Sequence, residues 1–192
     1  MASVPNPLFT VQQYLDMERA AEYRSEYLCG EIFAMSGGSV NHAVIAMALG
    51  IELGLQLRGQ PCTVAGSDLR LYCESSQMLT YPDVVVFCGP RKFRDGKKDT
   101  LTDATVVAEV LSPSTASYDR SHKFHYYRGL PSLREYLLIS QSEIRAELCV
   151  RQEDGSWLLR DFNGPECEIP LESIGCRVAL GALYERVEFE TA

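Results

Sequence analysis

The sequence predicts an α/β (α+β) fold: a mixed β-sheet flanked by helices and continued at the C-terminal end by an antiparallel hairpin extension. Three observations predict it. Two near-continuous apolar runs, VVVF at 84–87 and TVVAEVL at 105–111, have the character of strands buried on both faces. A long apolar helical stretch precedes them and a second helical stretch follows them. Beyond residue 142 the pattern changes to strand alternation punctuated by turn residues.

In chain order, residues 10–25 (TVQQYLDMERAAEYRS) suit a short polar helix. YLCGEIFAM, 27–35, reads as a strand with a turn at Gly30, and Ser36-Gly37-Gly38 then breaks the chain. AVIAMALGIELGLQLR, 43–58, is a helix apolar on most faces, with His42 at its entrance, so it is expected to pack on the sheet. Strand signals follow at 62–65 and 68–73. YPDVVVF, 81–87, begins where proline biases Tyr81 toward extended backbone. After the strand at 105–111, residues 118–128 (YDRSHKFHYYR) read as a helix stopped by Gly129 and Pro131. EYLLIS, 135–140, is another buried strand. EIRAELCVR and SWLLRDF, either side of Asp154-Gly155, form a hairpin over 143–162, and short strands complete the tail. No repeat or linker interrupts the chain, so 1–192 is expected to be a single domain, with its core at about 26–141 and the β extension at about 142–190.

Composition excludes several functional classes. The 192 residues are 46% hydrophobic and 23% charged, ordinary for a globular protein. With 26 acidic and 18 basic residues the net charge is −8, which argues against a basic nucleic-acid coat or a membrane-surface binder. The charge is uneven, however. Between 91 and 128 eight basic residues face five acidic ones, a local excess of +3 expected to rim a phosphate site.

Seven cysteines, at 29, 62, 73, 88, 149, 167 and 176, are odd in number, widely spaced and without a CxxC pair. They read as structural thiols in a reducing cytoplasm, not as a zinc ribbon or a disulfide framework. The first twenty residues lack the basic and apolar regions of a signal peptide, and the apolar stretch near 43–57 is too short for a membrane span. A cytoplasmic protein without a membrane partner is expected. GxxxxGK[ST] and GxSxG are both absent, so neither ATP binding nor a serine nucleophile is indicated.

Two carboxylates break the apolar strands. Asp83 opens VVVF and Glu109 sits inside TVVAEVL. A lone buried carboxylate costs several kcal/mol or takes up a proton, so the fold has to supply a cation, hydrogen-bond donors or an opening to water. Were the two strands neighbours, both groups could converge on one hard divalent ion such as Mg²⁺, which wants oxygen ligands and can activate water against a phosphodiester. The bland alternative gives Asp83 a turn cap and Glu109 an internal arginine. Alternation places Val107, Glu109 and Leu111 on one face, so Leu111 cannot supply a cation beside Glu109. The next helix offers Lys123, sharing a face with Asp119 at i, i+4. That lysine could orient water or stabilise negative charge, or simply pair with Asp119 at the surface.

Pro82-Asp83 followed by Glu109-Val110-Leu111 resembles the PD-(D/E)xK nuclease superfamily with its third position changed. YPDVVV, VAEVLSPST and YDRSHKFHYYRGLPSLREYLLIS, together with GEIFAMSGGSVNH, resemble the Uma-type restriction-endonuclease family over roughly 10–185. The resemblance implies a restriction-endonuclease-like fold and a Mg²⁺ (or Mn²⁺) site hydrolysing DNA. Asp83 and Glu109 would be the metal ligands, with the backbone carbonyl of Val110 a third. Lys123 would stand in for the motif lysine that Leu111 replaces.

Among weaker candidates, Glu31 or Glu26 would be the N-terminal acidic residue such folds bring near the metal, and His42 could cap its helix or approach the site. His122 and His125, at i, i+3, could bind a transition metal. Ser112, Ser114 and Thr115 could touch phosphate or make a turn. Tyr126, Tyr127 and Tyr136 fit helix packing better than base stacking. The leading expectation is a homodimeric, Mg²⁺-dependent DNA endonuclease, because two sites related by a twofold axis most simply cut both strands. The alternative, kept open by Leu111, is a catalytically inactive nucleic-acid-binding or oligomerising module of the same fold.

Overall fold

The computed structural model describes residues 8–189. The start of the segment read for a leader (1–7) and the last residue of the expected extension (190) lie outside them. Within them the chain is a mixed α+β structure whose sheets are flanked by helices.

Helix α1 (Val11–Ala20) starts at a capping box: Gln13 N donates to Thr10 Oγ1 (3.2 Å) and Thr10 N to Gln13 Oε1 (2.8 Å). Strands β1 (Ser25–Leu28) and β2 (Glu31–Ala34) form a hairpin whose turn, Cys29-Gly30, has positive φ at both residues, the twist that two-residue hairpins favour. Helix α2 (Val40–Gln56) follows its Ser39 cap, and then come β3 (Cys62–Gly66), β4 (Arg70–Cys73), β5 (Met78–Thr80), β6 (Val84–Cys88), β7 (Thr100–Leu101) and β8 (Val106–Leu111). Helix α3 spans 116–127, with Asp119–Lys123 a π-helical turn between α-helical ends. Strands β9 (Glu135–Ser140), β10 (Arg145–Arg151), β11 (Trp157–Asn163), β12 (Glu168–Leu171) and β13 (Cys176–Ala179) lead to α4 (Leu180–Leu183).

The single mixed sheet expected from the sequence is in fact two larger sheets and a ribbon. A six-stranded sheet runs β11-β10-β9-β8-β6-β3, parallel only between β8 and β9. A five-stranded sheet runs β2-β1-β5-β4-β7, and β12-β13 stand alone as a ribbon. On one face of the six-stranded sheet, Val84, Val86, Val106, Ala108 and Val110 meet Ile45, Leu49 and Leu53 of α2. On the other, Val85, Val107, Leu111 and Tyr136 meet Leu71, Met78 and Leu101 of the five-stranded sheet and Tyr127 of α3. The alternation read from TVVAEVL therefore holds, and it points Glu109 toward α3.

Four expectations need correction. Helix α2 buries only one stripe: Val40, Met47, Ile51 and Leu55 on its other side are exposed. The C-terminal region is part of the core, since Ile169, Leu171, Val178, Leu180 and Leu183 close over α2. The strand at 81–87 begins at Val84, which leaves Asp83 just ahead of the ladder. Cys62 and Cys88 are not free thiols: they face each other across β3 and β6, with Cα atoms 4.0 Å apart, and are disulfide-bonded. Among the described residues no helix is long and apolar enough to cross a membrane.

Asp99 ties α1 to the five-stranded sheet, accepting from Arg19 Nε (2.8 Å) and Nη2 (2.9 Å) and from Arg70 Nη2 (2.5 Å). The Arg19 hydrogen bonds pull its carboxyl from 3.8 to about 2. A depressed carboxylate stabilises the fold above its unfolded value and loses that contribution as pH falls from about 4 to about 2. Its side chain is 34% exposed, so Asp99→Asn should cost only about 1 kcal/mol at neutral pH. The acid limb of a thermal-melting pH profile should flatten in that window.

Candidate active site

The two carboxylates are brought together by strand pairing. Val84 of β6 lies opposite Ala108 of β8, so Asp83, one residue before Val84, stands beside Glu109, one residue after Ala108. Val110 N donates to Asp83 Oδ2 (2.8 Å), and Asp83 N lies 3.4 Å from Glu109 Oε2. A cavity of about 390 Å³ opens here at the junction of the two sheets, lined by Glu26, His42, Asp83, Glu109, Asp119 and Lys123 among others.

Each side chain is placed by a local device. The Ser39 cap, whose Oγ accepts from His42 N (3.1 Å), sets the first turn of α2 and carries His42 toward Asp83, with Nε2 3.2 Å from Oδ2. Ser112 starts α3: its Oγ accepts from Thr115 N (3.2 Å) and its carbonyl from Ala116 N (2.9 Å). The π-helical turn then buries both Asp119 and Lys123, a widening of the kind often found at functional sites. Lys123 Nζ lies 3.1 Å from Glu26 Oε1, 3.2 Å from Glu109 Oε1 and 3.5 Å from Asp119 Oδ1. Tyr127, one turn on and fully buried, donates to Glu109 Oε1 (2.8 Å).

The electrostatics follow from burial. Loss of water pushes the Glu109 carboxyl up; Lys123 opposes this, while Asp83, Asp119 and Glu26 add to it. Burial also raises Asp119. For Lys123, burial works against the charged form, but the carboxylates of Glu109, Glu26 and Asp119 prevail and hold it protonated. The hydrogen bond to Asp83 raises His42 despite its desolvation. Four carboxylates against one lysine and one histidine leave an excess of negative charge, a donor set that suits a hard cation. Among the described residues no group of three or more His, Cys, Asp or Glu side chains is arranged to hold a metal by itself. Two carboxylates, a backbone carbonyl and waters would be enough for Mg²⁺.

Of the residues picked from sequence, Asp83, Glu109, Val110, Lys123 and His42 line this cavity, and Glu31 does not. Glu31 is exposed at the hairpin end of β2, and it is Glu26 on β1 that reaches the cluster. Asp119, expected merely to pair with Lys123, is part of the cavity wall. Tyr127 packs as expected, but its hydroxyl also anchors Glu109, a contact with no signature in the sequence. Of the eight basic residues between 91 and 128, only Lys123 lines the cavity, so the expected basic rim is not there. His122 and His125 are exposed.

Comparison with known proteins places the chain in a family and matches its fold to a solved structure. Residues 11–180 match the family Uma2, described as “Putative restriction endonuclease”. Two similar proteins from Synechocystis sp. (strain ATCC 27184 / PCC 6803 / Kazusa) are the uncharacterized proteins slr1290 and sll1609. The first is 37% identical over 97% of both chains, and the second 36% identical over 88% of this chain and 96% of that one. The fold is similar to the crystal structure of a “putative nuclease belonging to DUF820” from Anabaena variabilis ATCC 29413. There the TM-score is 0.74 at 19% identity, covering 92% of this chain and 97% of that chain.

Proposed function

The chain belongs to the Uma2 family of restriction-endonuclease-like proteins, and from that premise we propose that it is a Mg²⁺- or Mn²⁺-dependent DNA endonuclease, cytoplasmic and homodimeric. The observation that carries this reading is the convergence of Asp83 and Glu109 on one cavity, beside a buried, protonated Lys123.

A divalent ion held by Asp83, Glu109 and the Val110 carbonyl would polarise the scissile phosphate and lower the pKa of a bound water. The surrounding residues fix its ligands. Val110 N–H and His42 hold Asp83 through Oδ2. Tyr127 and Lys123 hold Glu109 through Oε1, which leaves Oε2 with only the long contact to Asp83 N. Lys123 keeps its ammonium where charge would build on the phosphoryl oxygens, and it does so without a lysine at position 111.

One observation favours the non-catalytic reading. Lys123 is shared among three carboxylates, as in a structural ion cluster. Calorimetric titration with Mn²⁺, paired with a plasmid-nicking assay in Mg²⁺, separates the two readings. The nuclease should give binding heat and nicked DNA. Folded protein with neither would make it an inactive module.

A further inference from the structure

The cavity at Asp83 and Glu109 adjoins a second cleft of about 820 Å³, the two sharing Met35, Ser36, Gly37, Gly38, His42 and Asp83. One wall of this cleft is the half-open face of α2 that carries Met47, Gly50, Ile51 and Gly54; the opposite wall includes Val64 of β3. Its volume falls within the range of sites that seat a small organic group, about 300–1,000 Å³. A substrate chain whose phosphate lies at Asp83 has to continue away from it, and the cleft begins there.

The lining decides which part of a nucleotide it suits. Its one arginine, Arg24, is already engaged, Nη1 donating to the Ser67 carbonyl (2.8 Å) and Nη2 to Asp68. No lysine lines it. A track for the sugar–phosphate backbone needs free cations, all the more in a chain of net charge −8. The aliphatic part of the lining, Met47, Ile51 and Val64 among it, favours burial of the flat, uncharged base instead.

We propose that this cleft seats an unpaired base next to the phosphate held at Asp83 and Glu109, so that the preferred substrate is a nucleic-acid strand with unpaired bases. The proposal rests on the nuclease reading of the adjoining site and names its substrate class. A paired duplex reaches the cleft only by extruding a base, at about a few kcal/mol.

Gly50 supplies the test, because a Cβ built there meets nothing within 4 Å. Gly50→Leu should fill the cleft without a backbone clash, in a helix that tolerates leucine better than glycine. Fluorescence anisotropy would compare a labelled oligothymidylate with its oligoadenylate duplex. Hydrolysis of bis(p-nitrophenyl) phosphate in Mn²⁺ would report on the carboxylate site alone. The single strand should bind at least about tenfold more tightly than the duplex, and Gly50→Leu should remove that preference without altering small-ester hydrolysis or lowering the melting temperature. Equal or tighter binding of the duplex, binding of neither, or full single-strand binding by Gly50→Leu would overturn the proposal. A single-strand preference lost in Gly50→Leu, in a protein inert toward bis(p-nitrophenyl) phosphate and toward plasmid DNA, would uphold the cleft and overturn the nuclease reading instead.

Discussion

Asp83→Asn and Glu109→Gln should each lower Mg²⁺-dependent DNA cleavage by about a thousandfold or more, the several kcal/mol that metal polarisation of a phosphoryl group supplies. Both replacements keep the shape of the side chain. In Asp83→Asn the amide oxygen still accepts from the Val110 N–H, and in Glu109→Gln it still accepts from the Tyr127 hydroxyl. Melting temperature should therefore hold to within a few degrees while the Mn²⁺ binding heat disappears. Glu31→Gln is the internal control: that carboxylate is exposed on β2 and outside the cavity, so its loss should leave cleavage unchanged. Full activity in both cavity variants would remove the catalytic assignment.

What could be read from the sequence depended on how local the cause was. Glu109 was legible because a charge inside an apolar strand has no cheap explanation, and strand alternation put it on one face with Val107 and Leu111; which face that is depends on the packing of α2. Lys123 was legible through helical spacing, and Asp83 through the proline and apolar run around it. Glu26 was only one of two options, because its place depends on β1 pairing with β5, where Thr80 donates to it. Nothing local distinguishes it from Glu31, five residues on across the hairpin. The burial of Asp119 depends on a π-helical turn, and the Cys62–Cys88 bond on an antiparallel register. The basic segment at 91–98 misled for a related reason. Proximity in sequence to β6 suggested a rim, but the loop turns back on β7 and α1, with Arg94 stacked over Tyr72 and Asp95 and Asp99 bound by Arg19.

Lys123→Met should be the most destabilising single change in the cavity. Lys123 is 8% exposed and is the common partner of Glu26, Glu109 and Asp119. Methionine fills the space but leaves buried carboxylates without their cation, and removing one partner of a buried pair costs about 3–5 kcal/mol. For a chain of this length that is roughly 6–20 °C in melting temperature. Two further results distinguish a charge effect from a packing defect. Burial already raises Glu109 and Asp119 in the native protein, and without Lys123 its opposing pull is gone. A carboxyl whose folded value exceeds its unfolded one gains stability as pH falls through the folded value. The deficit of Lys123→Met relative to the native chain should therefore shrink between neutral and mildly acidic pH. Adding Glu109→Gln should recover part of the loss, because one uncompensated charge is then gone, and the double-mutant cycle should show coupling well outside additivity. A deficit independent of pH, with additive single effects, would instead make Lys123 a packing residue and remove the electrostatic basis for placing it beside a scissile phosphate.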